Sequence, residues 1–253
     1  MFALSCRMNE MIPSSNTKRY YTAIEQHFSK SFYEILKSAR RLEETTNIKE
    51  GNKETLIKVE DIFKNAFRIM KEIGFNPNKS LAFSKKMPLD AGGRSFFVTS
   101  GLLNIKALPN QPNEYQETPL FLASLRNQFE VAQLLIHHGA DVLQRSCIRG
   151  SNPSLPIHVA TTCKMLNLFI KSGASVNGTS LDYVTALEFN VICIKPECVE
   201  FLLNNGAKDH TNARGKTALK VAEELKQSWA MIEDDFNKDR IEKMNKIIKL
   251  LKI

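Results

Sequence analysis

The sequence predicts a mainly α-helical chain: a solenoid of about four stacked repeats, preceded by a small helical N-terminal domain. Three observations predict it. An opening phrase recurs as Thr118-Pro119-Leu120-Phe121-Leu122-Ala123, Leu155-Pro156-Ile157-His158-Val159-Ala160, Thr185-Ala186-Leu187-Glu188 and Thr217-Ala218-Leu219-Lys220-Val221-Ala222. A closing phrase follows the first three copies: Gly139-Ala140-Asp141-Val142, Gly173-Ala174-Ser175-Val176 and Gly206-Ala207-Lys208-Asp209. The Gly-Ala pairs at 139, 173 and 206 keep a near-constant period, the mark of stacked units. Third, two apolar stripes of helical spacing occupy the first part of the chain.

The first stripe is Tyr20, Ile24, Phe28, Phe32 and Leu36, in a helix expected over about 17 to 43. The second is Leu56, Val59, Phe63, Phe67, Met70 and Ile73, with Asn52 as N-cap and Gly74 before Pro77 as stop. The linker 49–52 suits a hairpin of these two helices. Residues 78–114 read as a connector, because Pro88, Gly92, Gly93, Gly101, Pro109 and Pro112 break long elements. Within it, Phe96, Val98, Leu102 and Asn104 around Ser100-Gly101 suggest a small β-hairpin. Phe96, Phe97, Leu102 and Leu103 are expected to pack on the first repeat.

In each repeat the opening Thr caps a helix N-terminus, and Pro is tolerated in its first turn. Val131, Leu134, Leu135 and Ile136, and later Val199, Leu202 and Leu203, keep helical spacing in a second helix. The Gly then supplies the left-handed residue that ends it. These phrases resemble the ankyrin repeat over about 118–225, with 226–253 as a modified end. The resemblance implies a β-turn and two antiparallel helices per repeat. It also implies a structural, hydrogen-bonding role for His158. The run from Met70 to Pro77 echoes a closing phrase, so a degenerate leading repeat is an alternative to a separate N-terminal domain or cap. The domains expected are thus 1–114, helical hairpin plus connector, and 115–253, repeats plus a C-terminal capping helix.

Three departures stand out. The second repeat runs only from Leu155 to Gly173, so a helix must be short or a turn lost. The tip before it, Gln144 to Asn152, is long. The third repeat lacks Pro and His in its opening phrase.

The net charge of +8 is uneven. Residues 1–108 hold 18 Lys/Arg against 11 Asp/Glu, 109–225 hold 10 against 11, and 226–253 hold 7 against 5. Five cysteines (Cys6, Cys147, Cys163, Cys193, Cys198) show no metal-ligand spacing and fit a reducing compartment. No apolar run approaches a membrane span. The final stretch sets Ile241, Met244, Ile248 and Leu251 on one helical face beside Lys243, Lys246, Lys249 and Lys252. It reads as a cap on the fourth repeat, with an acidic or membrane-surface partner as the alternative.

No catalytic residue, metal ligand or cofactor is expected. Gly92-Gly93-Arg94-Ser95 lacks the Gly-Lys-Ser/Thr ending of a phosphate cradle. His137-His138 sits near a helix end, where cations are favoured. Glu233-Asp234-Asp235 lacks the alternation of a calcium loop. An enzyme with its site in 1–114 is one alternative, yet that region has one histidine (His27), one cysteine (Cys6) and the diverging pair Glu60 and Asp61. Nucleic-acid binding through the basic N-terminal region is the other, but no recognition motif surrounds Arg40-Arg41 or Lys85-Lys86.

The leading expectation is a monomeric binding module for a protein partner, with no nucleic acid and no membrane span. Register places Leu122, Val159, Phe189 and Val221 along the concave surface, with Leu125 and Ile192 one turn on. Such an apolar stripe marks an interaction site if it is exposed. Arg126 neighbours it, and the turn tips add Arg145, Arg149, Tyr183, Lys208, His210 and Arg214. Arg and Tyr are frequent anchors of binding. A cytoplasmic setting follows. The resemblance also extends to effectors that intracellular bacteria deliver into a host cytosol.

Overall fold

A computed structural model describes residues 30–35, 37–38, 53–72, 74–81, 87–93, 95–147, 153–231 and 235–252. The chain divides into two compact units, Met1–Leu108 and Pro109–Ile253. Among the described residues the regular elements are helical.

In the first unit, α1 (Lys53–Glu72) buries Val59, Phe63, Phe67 and Met70. Phe32, on a short helical stretch, stacks on Phe75 at 5.9 Å and meets Phe67 at 6.0 Å. Tyr20, Ile24, Phe28, Leu36, Ile73 and the linker 49–52 lie outside the described residues. After α2 (Pro88–Gly92) comes α3 (Phe96–Asn104), where the sequence suggested a hairpin. Ser95 caps α3 by accepting from the Val98 N–H at 3.3 Å. Gly101 is a contact residue rather than a turn: a Cβ there would come 2.3 Å from a Phe67 ring carbon. Its absence lets α3 lie against α1, with Phe97 stacked on Phe63 at 5.8 Å. Phe97, Leu102 and Leu103 are buried.

The second unit is a series of helix pairs. They are α4 (Pro119–Leu125) with α5 (Phe129–His137), α7 (Ala186–Ile192) with α8 (Pro196–Asn204), and α9 (Ala218–Ala230) with α10 (Asp235–Leu251). Between the first two pairs, a four-residue turn of 3-10 helix, Pro156–Val159, precedes α6 (Cys163–Lys171). This is the expected shortening. Thr118, Thr185 and Thr217 each accept a hydrogen bond from the backbone N–H three residues on. The core is apolar and tight: Phe121, Leu135, Ile157, Met165, Phe169, Leu187 and Leu202 are fully buried. Helix α10 packs on α9 and α8 through Met244 and Ile247. Its lysines reach Glu197 and Glu223 only in exposed pairs (Lys246 at 3.6 Å and Lys252 at 3.3 Å), which add little stability.

One construction recurs in both units. The chain turns left-handed at Gly74, Lys106, Gly139, Gly173 and Gly206, after α1, α3, α5, α6 and α8. The next residue then donates back to the carbonyl five before it, as Phe75 to Met70, Ala107 to Leu102, Ala140 to Leu135, Ala174 to Phe169 and Ala207 to Leu202. Four residues after three of these turns stands an asparagine: Asn78, Asn110 and Asn177. Each donates to the carbonyl of the next left-handed residue and accepts from an N–H two residues beyond. Asn110 bridges Gly139 O and Asp141 N at 2.9 and 2.7 Å; Asn177 bridges Gly206 O and Lys208 N at 2.9 and 2.8 Å. The corresponding position after Gly139 is Leu143, which is exposed.

Leu143→Asn is therefore expected to add the missing rung, to Gly173 O and Ser175 N, and to raise unfolding stability by about 1 kcal/mol. Urea denaturation of the full chain measures it. A neutral or destabilising outcome would show that the second repeat is held out of register.

Candidate interaction face

Short fingers lead into three of the four opening phrases. Asn113, Ser180 and Asn212 start them, with turn bonds from Gln116 to Asn113, Tyr183 to Ser180 and Gly215 to Asn212. The side chain of the first residue fixes each turn. Asn113 Oδ1 accepts from Tyr115 and Glu117, Ser180 Oγ from Val184, and Asn212 Oδ1 from Arg214 and Lys216. Successive fingers are linked by Cys147 N to Gln116 O, Leu181 N to Pro153 O and Ala213 N to Asp182 O.

This scaffold holds exposed apolar side chains in two matching sets. Tyr115 precedes α4 and Leu125 ends it. Leu181 and Tyr183 precede α7 and Ile192 ends it. Tyr183 is 60% exposed, Ile192 45% and Leu125 38%. A seven-residue helix, about 10 Å long, runs between the ends of each set. Tyr held on a rigid turn is a frequent anchor of a protein interface.

The expected stripe is only partly there. Leu122 is 4% exposed and Val159 3%, so both are core. Helix α4 packs against both α5 and the 3-10 turn, and only Leu125 of its seven residues is exposed. All four residues of the turn itself are buried. Phe189 and Val221 are half-buried, as is Arg126. Arg145 is exposed but anchored, donating to Pro153 O at 3.2 Å and Thr179 O at 3.1 Å. Arg149 lies outside the described residues. Lys208, His210 and Arg214 are exposed on the tips. Tyr115 and Leu181 were missed. Their signal was the finger register itself, Asn113 to Thr118 repeating Asn212 to Thr217.

Two buried polar side chains tie the tips together. His158 Nδ1 accepts from the Leu155 N–H at 3.1 Å, and Nε2 lies 2.8 Å from Gly178 O. With Nδ1 accepting, the proton sits on Nε2 and the ring is neutral. Burial holds its pKa down at about 4, against the pull of the Gly178 carbonyl and with help from the nearby Arg145 charge. Glu188 accepts from Asn212 Nδ2 at 2.7 Å. Burial raises its pKa despite that bond, and Asp209 adds to the rise.

Chemistry-bearing groups elsewhere are engaged structurally. Glu60 accepts from Ser100 Oγ at 2.7 Å and pairs with Lys64 at 2.9 Å. Burial pushes its pKa up, but these two partners outweigh it and leave the carboxyl below its ordinary value. His27 and Cys6 lie outside the described residues. No cluster of His, Cys, Asp and Glu able to hold a metal occurs among the described residues. No helix among them is long and apolar enough to cross a membrane.

Residues 115–147 match the family model of the ankyrin repeat. The chain is also similar to ankyrin repeat and SOCS box protein 6 of Homo sapiens, 35% identical over 97 residues, and to the Pongo abelii protein of the same name, 34% identical over 97 residues. In each case 36% of this chain is covered, and the match spans 23% of the relative's length.

The buried neutral histidine makes the second unit acid-sensitive. The unfolded chain takes up a proton near pH 6.5, while the folded chain resists until about pH 4. Stability is full above pH 6.5 and declines as pH falls through that window, by up to about 3 kcal/mol. His158→Gln can still accept from Leu155 and donate to Gly178 but does not titrate, so its urea midpoint should lose this slope. Glu188 contributes with the opposite sign, in both proteins alike. An unchanged slope would exonerate His158.

Proposed function

We propose that this chain, an ankyrin-repeat protein, is a binding module that holds a protein partner on the fingers and inner helices of its second unit. Ankyrin repeats mediate protein–protein interaction, and the paired anchors of this chain support the reading. Tyr115 with Leu125, and Leu181 and Tyr183 with Ile192, expose apolar groups beside turns fixed by partly buried hydrogen bonds. Asp182, Lys208 and Arg214 are exposed charges of the same unit and would help to orient the partner. An enzymatic role for the first unit finds less support, since Glu60 is spent on Ser100 and Lys64. Free thiols at Cys147, Cys163, Cys193 and Cys198 favour a reducing cytosol, that of its own cell or of a host into which it is delivered.

The experiment is affinity capture with the full chain beside its Tyr183→Asp/Ile192→Asp variant. Asp tolerates the left-handed conformation at Tyr183, and both side chains are exposed, so the melting transition should stay in place. A true partner should lose about 30-fold or more in affinity, the mark of removing an anchor worth about 2 kcal/mol. Equal capture by both proteins would overturn the proposed face. Binding of random RNA or DNA with a steep salt dependence would favour the basic N-terminal region instead.

A further inference from the structure

Helices α6 and α8 stand one repeat apart, and each carries a cysteine in its first turn. The sulfurs of Cys163 and Cys198 lie 3.7 Å apart. Cys198 is 4% exposed, whereas Cys163 is half-buried. A disulfide needs about 2.05 Å between sulfurs, so modest side-chain rotation would close the gap.

We propose that Cys163 and Cys198 form a peroxide-responsive dithiol, whose disulfide staples the second repeat to the third. The roles follow from exposure. Cys163 meets the peroxide: its thiolate sulfur attacks one peroxide oxygen, the O–O bond breaks, and the departing hydroxide takes up the proton that Cys163 gave. The sulfur is now a sulfenic acid. The Cys198 sulfur attacks it, the S–O bond breaks, and the departing hydroxide takes the Cys198 proton. One peroxide is reduced to two waters as two thiols become one disulfide. Cys198 does not meet the peroxide first, because burial, with its contact to Cys163, pushes its thiol up to about 12. Its part in the second step rests on its sulfur lying 3.7 Å from that of Cys163.

The position gives the bond a consequence. The second repeat has only the turn Pro156–Val159 where its neighbours have an inner helix. A staple through α6 ties the outer side of this shortest unit to the full helix pair beside it. Closing a loop of that length restricts the unfolded chain more than the folded one.

The test uses the intact chain and equimolar hydrogen peroxide, followed by digestion without reduction and mass spectrometry. The expected product is a peptide pair joined through Cys163 and Cys198, lighter by two hydrogens and separated by dithiothreitol. The melting midpoint should rise by about 5 °C or more before reduction and return after it. In Cys198→Ser the same treatment should leave Cys163 as a sulfenic acid trapped by dimedone, with no internal link. The proposal fails if both thiols of the wild type still alkylate after peroxide. It fails equally if Cys163 joins Cys147 or Cys193, or goes on to sulfinic acid while Cys198 stays free.

Discussion

Five of the described helices, α1, α3, α5, α6 and α8, end by turning the backbone left-handed, and the spacing of those turns sets the period on which the rest is built. L-residues other than Gly resist that conformation, so Gly occupies four of the five positions after α1, α3, α5, α6 and α8. Around Gly139, Gly173 and Gly206 a Cβ would meet open space, so the requirement there is one of backbone conformation alone. The turn also presents a carbonyl and an N–H at a fixed place. Asn78, Asn110 and Asn177 use it, each reaching one period forward with one donor and one acceptor. Regularity in the chain thus becomes regularity in space within each unit, through groups that carry no charge.

The second repeat departs from this pattern, and its neighbours make good the deficit. Its opening residue is Leu155, which cannot cap as Thr does. His158 accepts from the buried Leu155 N–H and ties the turn to Gly178. The short turn also leaves carbonyls outside any helix. Ser124 donates to Pro156 O at 2.7 Å from one side, and Asn190 to Ala160 O at 2.9 Å from the other. Arg145 closes the tip with two more carbonyls. Asn190 Oδ1 is left buried without a hydrogen-bond partner, a residual cost of the repair.

Much of this was legible in the sequence, because caps and helix stops are local. Thr118, Thr185 and Thr217, the closing glycines and the brevity of the second repeat all read directly from spacing. The misreadings arose where packing overrode local signals. Ser100-Gly101 resembles a turn, but Gly101 lies inside a helix because Phe67 needs the space of its missing Cβ. Leu122 and Val159 share the register of Phe189, yet only a three-dimensional neighbour decides which of them is covered. Asn78 and Asn110 carry no obvious phrase around them. Their role depends on backbone groups some 30 residues away, which no local pattern announces.

The missing rung at Leu143 and the shortened turn fall on the same repeat. In a linear array each unit is coupled only to its nearest neighbours, so cooperativity is transmitted no better than by its feeblest interface. The second repeat is that interface within the second unit. It separates the Tyr115 and Leu125 anchors from those at Tyr183 and Ile192. A ligand spanning both would have to hold this joint closed, and part of its binding energy would go into suppressing local opening there. Substitutions in the second repeat could then shift affinity without touching the ligand, through the rigidity of the ground between its two footholds.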